Sequence, residues 1–101
     1  MDETAHIIKS VLQADGYLAD PHTAVAIKVA RQHAKSAAPM VVLSTAHPAK
    51  FPDAVMAACG VRPALPVFLA DLMQRKERFT VLPSQLELVQ RHIEENARVA
   101  K

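Results

Sequence analysis

Met40-Val41-Val42-Leu43-Ser44-Thr45-Ala46-His47-Pro48 is the stretch whose reading decides the fold. Its first four residues are a short continuous apolar run rich in β-branched side chains, the pattern of a central strand buried on both faces. A polar turn, Ser44-Thr45-Ala46-His47-Pro48, follows at the carboxyl end of the expected strand. Pro48 and Pro52 bracket a tight loop, and a short helix is expected from Pro52 to Ala58, ended by Gly60.

Working outward, the sequence is mostly helical. Ala5, Ile8, Val11 and Leu12 recur at helical spacing over Thr4–Ala14, with Gly16 placed for a left-handed cap. Asp20 and Pro21 are suited to the N-cap and first position of a second helix, expected to run to about Lys35. That helix is apolar almost all round in its first two turns, which predicts a buried element. Beyond Pro63 and Pro66 a helix is expected from Val67 to Arg75, then an extended stretch, Arg78–Val81. A last helix is expected from Ser84, where Ser84-Gln85-Leu86-Glu87 reads as a capping box and Leu86, Val89 and Ile93 as the buried stripe.

A central strand needs partners on both edges. Arg78–Val81 is the one possible neighbour, and two strands make no stable sheet without further support. Either the strand joins a sheet supplied by other polypeptide, which is the favoured reading, or Met40–Leu43 is a buried helix rather than a strand. The expected class is an α/β fragment, mostly helical, with one central parallel strand, running through 1–101 with no internal boundary.

Composition narrows the function. The 101 residues are 50% hydrophobic, with one cysteine, no tryptophan and a formal net charge of +2. That suits a packed core rather than disorder, and one cysteine cannot form an internal disulfide. No apolar run approaches the ~18 residues of a membrane span, and the N-terminal residues lack a signal pattern. A cytoplasmic location is expected. Two glycines exclude a glycine-rich phosphate loop. The basic run Gln74-Arg75-Lys76-Glu77-Arg78 carries no interleaved aromatic, unlike a nucleic-acid platform. None of His6, His22, His33, His47 and His92 lies three or four residues from another histidine or from Cys59, so no metal-ligand spacing is present. Cys59 reads as a small buried hydrophobe.

Two segments carry candidate chemistry, and each has two readings. Ser44–Lys50 lies at a strand's carboxyl end, where open α/β sheets bind ligands, and Lys50 can meet an anion as a point charge. Equally, Ser44 and Thr45 can cap the next turn and Lys50 can be solvated. Asp20-Pro21-His22-Thr23 is either a helix start or a helix N-terminus directed at an anion.

Together, Gly16-Tyr17-Leu18-Ala19-Asp20-Pro21-His22-Thr23-Ala24-Val25-Ala26 and Ser44-Thr45-Ala46-His47-Pro48-Ala49-Lys50-Phe51-Pro52-Asp53-Ala54-Val55 resemble the C-terminal part of threonine synthase. The Arg78–Val81 stretch and the helix after it look like the same family's tail. That family uses pyridoxal phosphate (PLP) to make threonine and phosphate from O-phosphohomoserine and water. Its fold is of the tryptophan-synthase-β type, and this chain would belong to the large domain. The resemblance implies Thr45 at the PLP pyridine nitrogen, Ser44 and Ala46 flanking the ring, and His47 and Lys50 facing the substrate phosphate. The family's Schiff-base lysine lies upstream of these motifs. Lys9, Lys28, Lys35 and Lys50 do not occupy its position, so no catalytic residue is assigned and the chain alone is expected to be inactive. Its implied partner is the remainder of the enzyme; neither nucleic acid nor membrane is implied. The alternative is a stand-alone interaction module derived from the family, which would hide its strand by self-association.

Overall fold

The computed structural model describes residues 2–100. It divides into two compact units, Met1–Ala70 and Asp71–Lys101; the sequence reading places no boundary there.

The first unit is built on three helices: α1 (Glu3–Asp15), α2 (Pro21–His33) and α3 (Pro52–Cys59). Each begins or ends on a residue suited to the task. The Asp2 carboxylate accepts from the Ala5 N–H at 2.7 Å, and α1 ends on Gly16 at φ 67°. Gly60, at φ 75°, does the same for α3. These two glycines hold the left-handed conformation that other residues adopt at a cost. α1 packs on both α2 and α3. Ile7, Ile8 and Val11 from α1 meet Ala24 of α2 and Ala58 of α3, with Ala5, Ile27 and Cys59 packed at the margin. Complete burial of a side chain such as Ile8 contributes roughly 1.5–3 kcal/mol. Cys59 is half-buried and its Sγ–H donates to the Val55 carbonyl at 3.2 Å.

α2 is less buried than its composition predicts. Thr23 and Ala24 are enclosed, but Val25 is 54% exposed and Val29 48% exposed. One face of α2 serves α1, and the other is left open. Ala26, Val29, Ala30 and His33 on that helix line an open groove of about 500 Å³, with Met40–Leu43 and Thr45 on its other side.

The central strand expected at Met40–Leu43 is not formed. Among the described residues no segment is paired as a strand. Val41 is 78% exposed and Leu43 73% exposed. The physical reason is the one the sequence raises: strand pairing needs a second strand, and none is present among the described residues.

The second unit also departs from expectation. Val67–Arg75 is not an α-helix. Two 3-10 turns, Val67–Leu69 in the first unit and Leu72–Gln74 in the second, stand in its place, broken at Asp71 (φ −92°, ψ 8°). Val67, Phe68 and Met73 are exposed, so no burial supports a longer helix. Arg78–Val81 is irregular, with Phe79 and Val81 exposed. α4 (Leu86–Asn96) starts later than the capping box implies. The Gln85 N–H donates to the Pro83 carbonyl at 2.8 Å, closing a tight turn around Ser84. Gln85 becomes the N-cap, and no side chain caps this end. The stripe expected to be buried is open: Leu86 and Ile93 are exposed and Val89 half-buried. A 3-10 turn, Arg98–Ala100, follows. Among the described residues no helix is long and apolar enough to cross a membrane.

Candidate functional site

The start of α2 is organised by one carboxylate. Asp20 is fully buried. Its Oδ2 accepts from the His22 N–H at 2.9 Å and from the His22 ring Nδ1 at 3.2 Å. Its Oδ1 accepts from the Thr23 N–H at 3.2 Å and also from the Thr23 hydroxyl. Burial, the largest single influence, raises the carboxyl's pKa. The Thr23 hydroxyl, the two backbone N–H groups and the His22 ring together outweigh it, so Asp20 is held below the ordinary carboxylate value. The helix-start reading of Asp20 and Pro21 is therefore realised, and His22 and Thr23 are engaged with it.

From there the two sequence segments meet. The Tyr17 hydroxyl lies 2.8 Å from the Ser44 hydroxyl, and the Thr23 hydroxyl lies 3.4 Å from the same Ser44 oxygen. The His22 ring stands 4.9 Å from the Phe51 ring, centroid to centroid, tilted by 44°. Residues separated by 21 to 29 positions are thus drawn to one place, at the turn where Met40–Leu43 ends.

Along this turn successive residues serve different depressions. Ser44, Ala46 and His47 line a pocket of about 320 Å³ with Tyr17, Leu18 and Pro63. Thr45 instead lines the apolar groove beside Met40–Leu43. Thr45 is exposed, and its hydroxyl makes no hydrogen bond among the described residues. A hydroxyl of this kind can donate or accept, which fits a heteroaromatic ring nitrogen. His47 begins the 3-10 turn Pro48–Lys50, and its Nδ1 accepts from the Ala49 N–H at 3.0 Å. That contact assigns the proton of a neutral ring to Nε2, a donor free for a ligand. Lys50 is exposed, with Nζ 6.0 Å from the Phe51 ring centroid. Of the five candidate residues, Ser44, Ala46 and His47 come together, Thr45 lines the adjoining groove, and Lys50 lines neither.

Residues 23–93 match the family model described as threonine synthase, C-terminal. This chain belongs to the threonine synthase family. It is 46% identical over 102 residues to the threonine synthase of Pseudomonas aeruginosa, covering 99% of this chain and 22% of that protein. With the threonine synthase of Methylobacillus glycogenes it shares 38% identity over 89 residues, covering 88% of this chain and 19% of the relative. Among solved structures, a PLP-bound threonine synthase from Brucella melitensis matches with a TM-score of 0.76 and 62% identity, over 95% of this chain and 21% of that one. The chain thus spans about a fifth of the length of these relatives and corresponds to the C-terminal part of a threonine synthase.

Asp20 and Thr23 belong to a segment the sequence marks as candidate chemistry but carry no site role there, and Tyr17 and Phe51 are not marked by the sequence as site residues. Tyr17, Asp20 and Thr23 all lie within the first of the two resembling segments, and Phe51 within the second. That shared membership was the signal available. The hydroxyl contacts themselves join positions too far apart for spacing to show.

Proposed function

We propose that this chain works as the C-terminal segment of a longer threonine synthase that converts O-phosphohomoserine and water to threonine and phosphate with PLP, in the cytoplasm. The observation that carries the reading is the 62% identity, over nearly the whole chain, to a structure described as PLP-bound. In this reading Met40–Leu43 becomes a central parallel strand of the large domain, paired with strands of the remaining polypeptide. The open groove beside it and the exposure of Val41 and Leu43 support that pairing.

When bound, PLP supplies an electron sink. The Thr45 hydroxyl would hold the pyridine nitrogen, with Ser44 and Ala46 beside the ring. A neutral hydroxyl leaves that nitrogen largely unprotonated, where a carboxylate would hold a proton on it. The exposure of Thr45 and its uncommitted hydroxyl support the role. His47, donating from Nε2, and Lys50, as a point charge, meet the substrate phosphate. The lysine that forms the Schiff base comes from the remaining polypeptide, so the 101 residues alone are inactive.

Phosphate release from O-phosphohomoserine tests this. The longer protein carrying this chain should turn over, Thr45→Val should lower its rate and its affinity for PLP, and the 101 residues alone should release none. Turnover by the short chain would overturn its dependence on the remaining polypeptide. An active longer protein indifferent to Thr45→Val would overturn the assignment of Thr45.

A further inference from the structure

An ionised carboxylate has no proton to give, so every contact to Asp20 is one that it accepts. Thr23 has a single hydroxyl proton, and Asp20 Oδ1 takes it. Because the Thr23 proton is committed, only the Ser44 hydroxyl can donate across the 3.4 Å gap to Thr23 Oγ1, a separation longer than an ordinary O–H···O bond. With that proton spent, Ser44 can only accept from Tyr17, whose hydroxyl lies 2.8 Å away. The donors run in one order, Tyr17 to Ser44 to Thr23 to Asp20. Reversing the Tyr17–Ser44 link would leave no proton between Ser44 and Thr23, and reversing the Ser44–Thr23 link would leave Asp20 without its hydroxyl donor.

We propose that Asp20, Thr23, Ser44 and Tyr17 form a one-way hydrogen-bond chain that positions the turn carrying Thr45, so that Ser44 and Tyr17 are positioning residues and Thr45 alone in that turn offers a free hydroxyl to the cofactor. The cofactor half of this statement rests on the function proposed above; the chain of donors does not. Asp20 anchors it because it is wholly buried and fixed to the start of α2 by two backbone N–H groups. Ser44 is exposed and has no helix or strand of its own to hold it. Its two hydroxyl contacts tie the end of the Met40–Leu43 segment to the rigid helix start. Thr45 is the next residue along the backbone, so its placement follows that of Ser44. The Thr23–Ser44 joint is the longest link and so the weakest.

The test uses the longer protein carrying this chain, with PLP affinity read from visible absorbance. Thr23→Val and Ser44→Ala should each weaken PLP binding about fivefold, the size of one lost hydrogen bond. The double variant should be no weaker than the worse single, because both break the same chain. Thr23→Ser, which keeps the hydroxyl, should restore affinity. Tyr17→Phe and Ser44→Ala alter exposed residues and carry the test if Thr23→Val does not fold. Single effects that multiply, or singles without effect where Thr45→Val weakens binding, would overturn the proposal. If the wild-type protein binds no PLP, the function proposed above fails. The inference is then decided by urea unfolding of the same variants: non-additive losses at Thr23 and Ser44 uphold the chain, and additive losses overturn it.

Discussion

Helices α1 and α4 carry the same kind of apolar spacing, and each forms a regular helix. In α1, Ile7, Ile8 and Val11 disappear beneath α2 and α3. In α4, Leu86 remains 66% exposed and Ile93 56% exposed. The ends differ as well: α1 has an aspartate at one terminus and a left-handed glycine at the other, whereas α4 opens on Gln85 with no side-chain cap. Spacing is enough to make a helix, but burial needs an opposing surface. Within the first unit that surface is present and the core closes; within the second, among the described residues, the apolar stripe stays open.

The largest expected effect tests this contrast in the core. Ile8→Ala should cost about 2–4 kcal/mol by urea unfolding, because a fully buried side chain leaves a cavity. Ile93→Ala should cost less than about 1 kcal/mol in the same measurement, since the side chain is already half in water. Equal losses would break the comparison.

Helix starts give the next test. Asp20→Ala should cost about 2 kcal/mol, removing an N-cap and leaving the buried Thr23 hydroxyl without its acceptor. Ser84→Ala should change stability by less than about 0.5 kcal/mol, because Ser84 caps nothing. The carboxyl of Asp20 also sets a pH dependence. Its folded pKa lies below the ordinary value, so the stabilisation is fully present above about pH 4 and is lost as the pH falls through the lowered folded value. Asp20→Asn should flatten that acid limb; an unchanged acid limb would mean other carboxyls carry it.

Glycine caps come third. Gly16→Ala should cost about 1 kcal/mol through the left-handed backbone alone, since a Cβ there meets nothing within 4 Å. Smallest of all is Val41→Ser in the 101-residue chain, expected to change stability by less than about 0.5 kcal/mol because Val41 is 78% exposed. In the longer protein the same substitution should be several times more costly.

What was legible in the sequence follows the same division. α1, α2 and α3 were readable because their signals are local: Gly16, the Asp20–Pro21 pair and Gly60 stand where the helices end or begin. The start of α4 was misplaced because the turn around Ser84 is a backbone contact that the Ser84–Glu87 spacing does not reveal. The apolar run at Met40–Leu43 has the pattern of a strand, and the lack of a convincing partner is equally plain in the sequence; pattern alone does not say that the run then stays unpaired. Ser44, Thr45 and His47 were picked as candidates. The ties from Ser44 to Tyr17 and Thr23 were not, because they depend on how α2 and the turn meet in space.

The account stands most directly on Met40–Leu43 finding its strand partners in the remaining polypeptide. Amide hydrogen exchange at Val41, Val42 and Leu43 measures this. The account predicts fast exchange in the 101-residue chain and strong protection in the longer protein carrying it, as expected for a strand inside a sheet. Fast exchange in both would contradict it, and so would equal protection in both.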